Sequence, residues 1–412
     1  MKRKYWAWPG VLAAILLVIG LPSQGQTPAA EHPIKRGLEA AWAKQPEQQA
    51  AALRRDAAEA ALRASQRWTP EAPALEVNVR TDRFNRNEGA REYHATLAVP
   101  LWLAGERSRL QSAAQADAAV VDARLELTRW KLTEQVRAAY WEHARASLEA
   151  NLAQGRLRHA RQLADDVAMR LKAGDLARAD GHQAEGALAS AEATFAQTQA
   201  AVSRASRRWQ ALTGIPVPQD GAAQAEAKPT NLSLAASHPE LSELGAKAAA
   251  ALRQQALASA QTRSNPELTL GAARERGTFG ERYGQSVMVG VRVPLGTSSG
   301  SQARIAAAEA EQLEAEAAFK LARQRLEADI AAAQDDVQAF QASLDAADRR
   351  AQLAREARGF FEKSFRLGET DLPARLRAEL EAFEAERQAA RARIELWAAI
   401  SALRQAFGVL PE

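Results

Sequence analysis

The sequence predicts a mainly α-helical protein with a small membrane β-barrel component, built from two tandem copies of one unit. Three observations predict it. Punctuation residues recur in step along the 412-residue chain: Pro46-Glu47 with Pro239-Glu240, Pro73 and Leu75 with Pro266 and Leu268, Pro100-Leu101 with Pro294-Leu295, and Gly214 with Gly408, at an offset of 193–194 residues. Recurrence at one offset over most of a chain marks a duplicated unit. Two stretches, between Pro100 and Pro216 and between Pro294 and Pro373, lack proline and are dominated by strong helix formers such as Ala, Glu, Arg, Gln and Leu. Four short segments alternate apolar and polar residues with period two, as strands with one apolar side do.

Residues 1–25 read as a leader. Lys2, Arg3 and Lys4 precede an apolar run from Val11 to Leu21, and small residues follow at Ser23 and Gly25. That is the layout of a secretory signal, with a core too short to span a bilayer as a stable helix; a retained membrane anchor is the alternative. Of 54 basic residues three lie there, so the remainder nearly balances the 50 acidic ones. The basic isoelectric point therefore carries no sign of a nucleic-acid partner. Zero cysteines exclude a disulfide framework, a thiolate metal site and a lipid attached to a leader cysteine. No apolar run of about 18–20 residues follows, so no helix is expected to cross a membrane.

The first unit, 26–214, opens with a short helix. "ALEVNVRT" and "YHATLAVPL" place strands at about 74–82 and 92–101. The long helix follows at about 106–172, roughly 100 Å at 1.5 Å per residue, and a return helix at about 176–213. The Pro/Ala/polar segment 215–237 is a connector. The second unit, 238–412, repeats the order: strands at about 267–274 and 286–295, a long helix at 301–366 and a return helix at 371–407. Helices this long need coiled-coil support. Leu326, Ile330, Ala333, Val337, Phe340, Leu344, Ala347, Ala351 and Ala354 supply a heptad stripe. The matching stripe of the first unit is Leu132, Val136, Ala139, His143, Ala146, Ala150 and Ala153.

On the strands, Leu75, Val77, Val79, Leu97, Val99, Leu268, Leu270, Val287, Val289, Val291 and Val293 fall on the apolar side and are the candidate lipid-facing residues. Four strands cannot close, and lipid tolerates no open edge. Two chains would give eight strands, whose interior side chains fill. Three chains give twelve and leave a lumen. A soluble four-stranded sheet on a helical bundle is the alternative.

Two glycine-centred phrases, "RLKAGDLARAD" and "SFRLGETDLPA", separate each long helix from its return helix. Gly174 and Gly368 suit the left-handed conformation that ends a helix. Asp175, Glu369 and Asp371 fall where carboxylates favour the positive end of the next helix. Leu171, Leu176, Phe365, Leu367 and Leu372 are apolar groups at the break, suited to hairpin packing or to docking.

With these residues in view, the chain resembles the TolC family of outer-membrane efflux proteins over nearly all of 26–412. The tandem units, the strand ends "VPLWLAGERSR" and "VPLGTSSGSQAR" and the two breaks carry the resemblance. It implies a homotrimer with a twelve-stranded outer-membrane barrel and an α-helical periplasmic tunnel. It also implies that the breaks form the tunnel's periplasmic tip, where a periplasmic adaptor docks and couples the duct to an inner-membrane pump. The docking set would be Leu171, Gly174, Asp175, Leu176, Phe365, Leu367, Gly368, Glu369, Asp371 and Leu372. Many members carry acidic gate residues six and nine positions after the second-turn glycine. Here those positions hold Ala374 and Arg377, with Asp180 six after Gly174, so a cation-sensitive acidic ring is in doubt. The turn "AGDLARAD" and the segment after it look most like members serving heavy-metal resistance-nodulation-division pumps. Drug or organic-compound efflux and type I secretion stay open.

No chemistry-bearing motif competes with this reading. The six histidines include no i, i+4 pair, and no nucleophile elbow, phosphate loop or dinucleotide fingerprint occurs. No cofactor and no enzymatic activity are expected. His143 reads as a packed stripe residue. A periplasmic coiled-coil adaptor or a structural protein is the alternative of a different class; neither accounts for four matched amphipathic strands.

Overall fold

A computed structural model describes residues 32–174, 176–217, 223–229, 237–296 and 300–412. The expected leader, Asp175 and much of the connector lie outside the described residues. The elements are α1 (Pro33–Lys44), α2 (Pro46–Ser65), β1 (Ala74–Thr81), β2 (Arg91–Pro100), α3 (Glu106–Ala173), α4 (Arg178–Thr213), α5 (Pro239–Ala260), β3 (Glu267–Arg276), β4 (Gly284–Arg292), α6 (Ser301–Arg366) and α7 (Leu372–Ala406). The chain is mainly helical with one small sheet. Among the described residues no helix is long and apolar enough to cross a membrane.

The opening of the first unit departs from the single helix expected there. Gln45 is extended (ψ 132°) and separates α1 from α2. A proline disfavours helical geometry at the residue before it, and Pro46 follows. Pro239 opens α5 in the same way, so α5 pairs with α2 and α1 is an addition to the first unit.

The long helices form antiparallel hairpins, α3 with α4 and α6 with α7, while α5 packs between α3 and α6. On α6, Ile330, Val337, Leu344, Ala347 and Ala351 are buried against Ala385, Ala389, Ala392, Leu396, Ala399 and Leu403 of α7, with Ala333, Phe340 and Ala354 partly buried beside them. Leu326 joins a separate cluster with Leu241 of α5. Much of the α7 side of this seam is alanine, small enough to let two helices pack closely. On α3, Leu132, Val136, Ala139 and Ala153 are buried, and His143, Ala146 and Ala150 are half-buried. Burial lowers the pKa of His143, so it packs as neutral imidazole.

All four strands join one antiparallel sheet in the order β1-β2-β3-β4. The β2–β3 pairing fuses the two units, and β1 and β4 remain as edges.

Candidate functional site

Register decides what the sheet presents. Leu75, Leu97, Leu270 and Val289 form one row across all four strands, and Val77, Ala95, Ala272 and Val287 form the next. Val99, Leu268 and Val291 make a third, and Val79 lies beside Tyr93. Every candidate apolar strand residue therefore shares one face, except Val293, which follows the end of β4. That face is uncovered in the single chain: Val287 is 82% exposed and Val289 70%. The opposite face carries Glu76, Asn78, Arg80, Glu92, His94, Thr96, Glu275 and Ser286. There Asn78 Nδ2 donates to Glu76 (2.9 Å), and Arg80 and His94 lie 3.6 and 3.7 Å from Glu92. One side is oily and the other wet.

Sheet and stalk are knotted by Glu106, the first residue of α3. Its buried carboxylate accepts from the Leu103 amide (3.1 Å), Gln261 Nε2 (2.8 Å) and Asn265 Nδ2 (2.7 Å). Asn265 also donates to the Leu101 carbonyl (3.0 Å). One carboxylate thus ties the strand-to-helix junction of the first unit to the helix-to-strand junction of the second.

At the other end of the stalk the two breaks come together. Gly174 (φ +86°) closes α3 and Gly368 (φ +78°) closes α6, both left-handed. At Gly368 the amide donates to Phe365 O (3.1 Å) and the Glu369 amide to Ser364 O (3.0 Å), the paired closure of a Schellman turn. Leu163, Val167, Ala184, Phe365 and Leu372 form a shared buried cluster, with Leu176 partly buried against it. Arg170 and Arg375 stack on the Phe365 ring at 5.0 and 4.8 Å, and Arg375 reaches Asp166 at 3.7 Å. Phe365 and Leu372 are therefore interior groups of the tip, because each hairpin needs them to bury its end. Leu367 is the exposed one, at 73%.

The acidic residues differ from their expected places too. Helix α7 begins at Leu372, so Asp371 is its N-cap, accepting from the Ala374 amide (3.0 Å), and Glu369 stands before the helix. Asp180 accepts from the Ala177 amide (3.1 Å). It serves as a helix-start cap, a position that favours carboxylates. Arg377 is exposed and Ala374 half-buried.

The middle of the stalk holds a site that sequence reading missed. Segment 223–229, treated above as plain connector, inserts Glu226 between α3 and α7. Its carboxylate accepts from Arg137 Nε (2.9 Å) and Nη2 (2.8 Å) and lies 3.4 Å from Arg404 Nε. All three side chains are buried. Burial alone would raise the Glu226 pKa, but Arg137, then the Ser401 hydroxyl and the Arg404 charge, outweigh it and hold the carboxyl below its ordinary value. Arg137 also donates to Gln405 Oε1 (2.6 Å) and the Val409 carbonyl (3.1 Å), and Arg404 to the Ala227 carbonyl (2.9 Å). Around this triad pack Trp141, Tyr140 and Trp209, with Ile34 and Leu38 of α1. His32 and His238 cap α1 and α5 through Nδ1, accepting from the Ile34 and Glu240 amides at 3.3 and 3.2 Å. Burial lowers both imidazole pKa values. The available signal was compositional: Glu226 is the one acidic residue of 223–229, and tryptophans interrupt alanine-rich helices.

Residues 233–409 match the family described as outer membrane efflux protein. No curated protein matches the chain significantly in sequence. Solved structures match its fold along nearly the whole length. The outer membrane protein VceC of Vibrio cholerae has a TM-score of 0.73 at 19% identity, covering 92% of this chain and 97% of its own. CusC, described for transmembrane channel formation, has 0.75 at 17%, covering 95% and 96%. The Campylobacter jejuni outer membrane channel CmeC has 0.71 at 14%, covering 98% and 94%. The chain thus has the fold of outer-membrane channels with a helical tunnel.

Proposed function

We propose that three copies of this chain assemble into an outer-membrane efflux duct: a twelve-stranded barrel continued by a helical tunnel in the periplasm. The observation that carries it is the register-matched apolar face, uncovered on a sheet whose two edges stay open. A lipid-embedded closed barrel covers such a face and pairs such edges at once. The polar face then lines the lumen. Trp68 and Trp102 at one end of the sheet, and Tyr93, Phe279 and Tyr283 at the other, are disposed as the interfacial aromatic girdles of such barrels. The match of 233–409 to the efflux family supports the same reading.

In this reading the duct is passive, and the exported compound is selected by an inner-membrane pump joined through a periplasmic adaptor. Docking falls to the tip groups left at the surface, led by Leu367 with Leu171, Leu176 and Glu369 around Gly174 and Gly368; Asp175, next to Gly174 in sequence, is proposed with them. Phe365 and Leu372 support that surface from within, and Asp371 caps α7 beside it. Closure of the tip rests on the Arg375–Asp166 contact and helix packing around Asp180, Ala374 and Arg377, in place of an acidic ring. The proposed pump is of the resistance-nodulation-division type and the proposed cargo heavy-metal cations, on the resemblance of the first turn.

The test is purification from outer membranes. The expected product is a detergent-dependent trimer that conducts in a planar bilayer. A monomer soluble without surfactant refutes the proposal. Restored growth of a duct-deleted strain under metal cations, but not under dyes, tests the cargo.

A further inference from the structure

Immediately beyond the apolar band, the same face of the sheet turns cationic. Register places Arg274 in the row of Val79 and Tyr93, and Arg91 directly opposite Arg276 in the next row. That next row lies about 7 Å further along the strand, two residues at roughly 3.4 Å each. Like charges directly opposite on one face destabilise a sheet, so three guanidiniums here call for a counter-charge. The nearby carboxylates do not supply it. Glu92 and Glu275 alternate onto the other face. Asp82 accepts from the Glu88 and Gly89 amides (2.7 and 3.1 Å), and Glu281 from the Gly277 and Thr278 amides (2.7 and 3.1 Å). Among the described residues none of the three arginines has a carboxylate within 4.0 Å.

The cluster is also braced. Arg274 and Arg276 stack on the Tyr283 ring at 4.4 and 4.9 Å, and Tyr93 lies 6.3 Å from that ring. Arg276 lies 5.7 Å from Phe279 as well, and its Nε donates to the Gly89 carbonyl (3.0 Å). The Phe279 amide donates to the Glu88 carbonyl (2.9 Å), clasping the two hairpin loops together. Cation–π stacking and one fixed Nε hold the Arg274 and Arg276 forks in place and leave their terminal nitrogens available.

We infer that Arg91, Arg274 and Arg276, with Tyr283, form a binding site for the phosphate monoester of an anionic lipid headgroup in the outer leaflet. The inference rests on the barrel reading above. Continuity with the apolar band sets the occupant: a ligand here has its acyl chains against Val77, Val79 and Val287 and its headgroup at the arginines. Charge sets the headgroup. Guanidinium forks match phosphate oxygens bidentately, and three of them suit a monoester with nearly two negative charges better than a diester with one.

The experiment titrates the purified trimer, in neutral detergent, with bisphosphorylated lipid A, its dephosphorylated form, phosphatidylglycerol and inorganic phosphate, reading bound lipid by native mass spectrometry. Bisphosphorylated lipid A is expected to bind at least about tenfold more tightly than the dephosphorylated form. The combined R91Q, R274Q and R276Q variant is expected to lose that margin, and Arg282→Gln to keep it. R274Q alone leaves the Arg276–Gly89 clasp intact and is expected to lose part of it, which guards against misfolding of the combined variant. Equal binding of the dephosphorylated lipid, an unchanged margin in the variants, or equal competition by inorganic phosphate overturns the site. Conductance of the unmodified trimer is scored separately: its absence refutes the channel, whereas conductance with no phosphate margin refutes only this site.

Discussion

The same long helices are held together in two unlike ways, at mid-stalk and at the tip. At mid-stalk, α3 and α7 enclose a buried Arg137–Glu226–Arg404 triad inside a jacket of tryptophan and tyrosine. At the tip, Leu163, Val167, Ala184, Phe365 and Leu372 make a small cluster closed by two left-handed glycines. The first arrangement has many directional bonds that must form together, so it admits one geometry. The second is a greasy contact capped by partly exposed Arg–Asp pairs, which can slide at small cost. On the proposed reading as an efflux duct, this asymmetry suits a collar that stays put and an end that moves.

The largest effect should come from breaking the collar. Glu226→Ala leaves Arg137 buried without a carboxylate and Arg404 with only the exposed Glu412, 3.2 Å away, and removing one partner of a buried pair costs about 3–5 kcal/mol. Replacing all three charges by apolar residues of similar volume should be near neutral or stabilising. Urea unfolding of the two variants would show the ordering. If the Glu226→Ala loss is below about 1 kcal/mol, the triad is no collar.

Phe365→Ala probes the other region. Truncating a buried phenylalanine costs about 3–5 kcal/mol where the site cannot collapse. The expected outcome is a value near the lower bound, because the tip cluster is small. Hydrogen exchange should rise at 163–184 and 365–376 and stay low at 132–141. Spread of the loss to mid-stalk would mean that the two regions form one cooperative unit. Leu367→Ala is the complement: an exposed side chain should change stability by no more than about 0.5 kcal/mol while weakening capture of the adaptor.

This contrast explains what was legible beforehand. Periodicity reports regular elements, so the long helices, the four strands and the α6 stripe through Ile330, Val337 and Leu344 could be read directly. Alternation also sorted the strand faces, since a strand's period leaves only two choices. The tip was half legible. Glycine spacing marked the turns, but which leucines and phenylalanines face inward depends on how two hairpins meet, and Phe365 and Leu367 differ only there. The collar was illegible because its partners, Arg137, Glu226 and Arg404, are far apart in sequence. A single glutamate in an alanine-rich connector is a mark of composition that names no partner until both arginines face it.

Acid should sharpen the comparison at intermediate size. His32 and His238 accept hydrogen bonds through Nδ1, so only the neutral imidazole caps α1 and α5. Around His32 stand Glu226, Arg137, Arg404 and Tyr140, and around His238 stands Glu240. Both folded pKa values lie below 6.5. The folded state therefore binds fewer protons than the unfolded state just below pH 6.5, and stability falls as pH falls through the folded values. Glu226 has a lowered pKa too, so its contribution is present above 4.5 and is lost on further acidification. Corrected for the slower intrinsic exchange at lower pH, the protection of α1 should fall between pH 7 and 5.5, and His32→Asn, which keeps a capping acceptor, should blunt that fall. Protection of α1 that is flat across this range sinks the neutral-cap account.

The smallest expected effect separates the two halves of the tip turn. Asp371 caps α7 through a single bond to the Ala374 amide, and replacing such a cap by Ala costs about 1 kcal/mol. Gly368 has open space around an added Cβ, so Gly368→Ala meets no clash and pays only for the left-handed backbone, again on the order of 1 kcal/mol. The two should nonetheless differ in reach. Loss of the cap frays the start of α7 alone, whereas strain at Gly368 reorients Leu367 and Glu369, which flank it. Adaptor capture should therefore drop more for Gly368→Ala than for Asp371→Ala at equal stability. Equal losses of capture would place docking on general tip stability rather than on the shape of this turn.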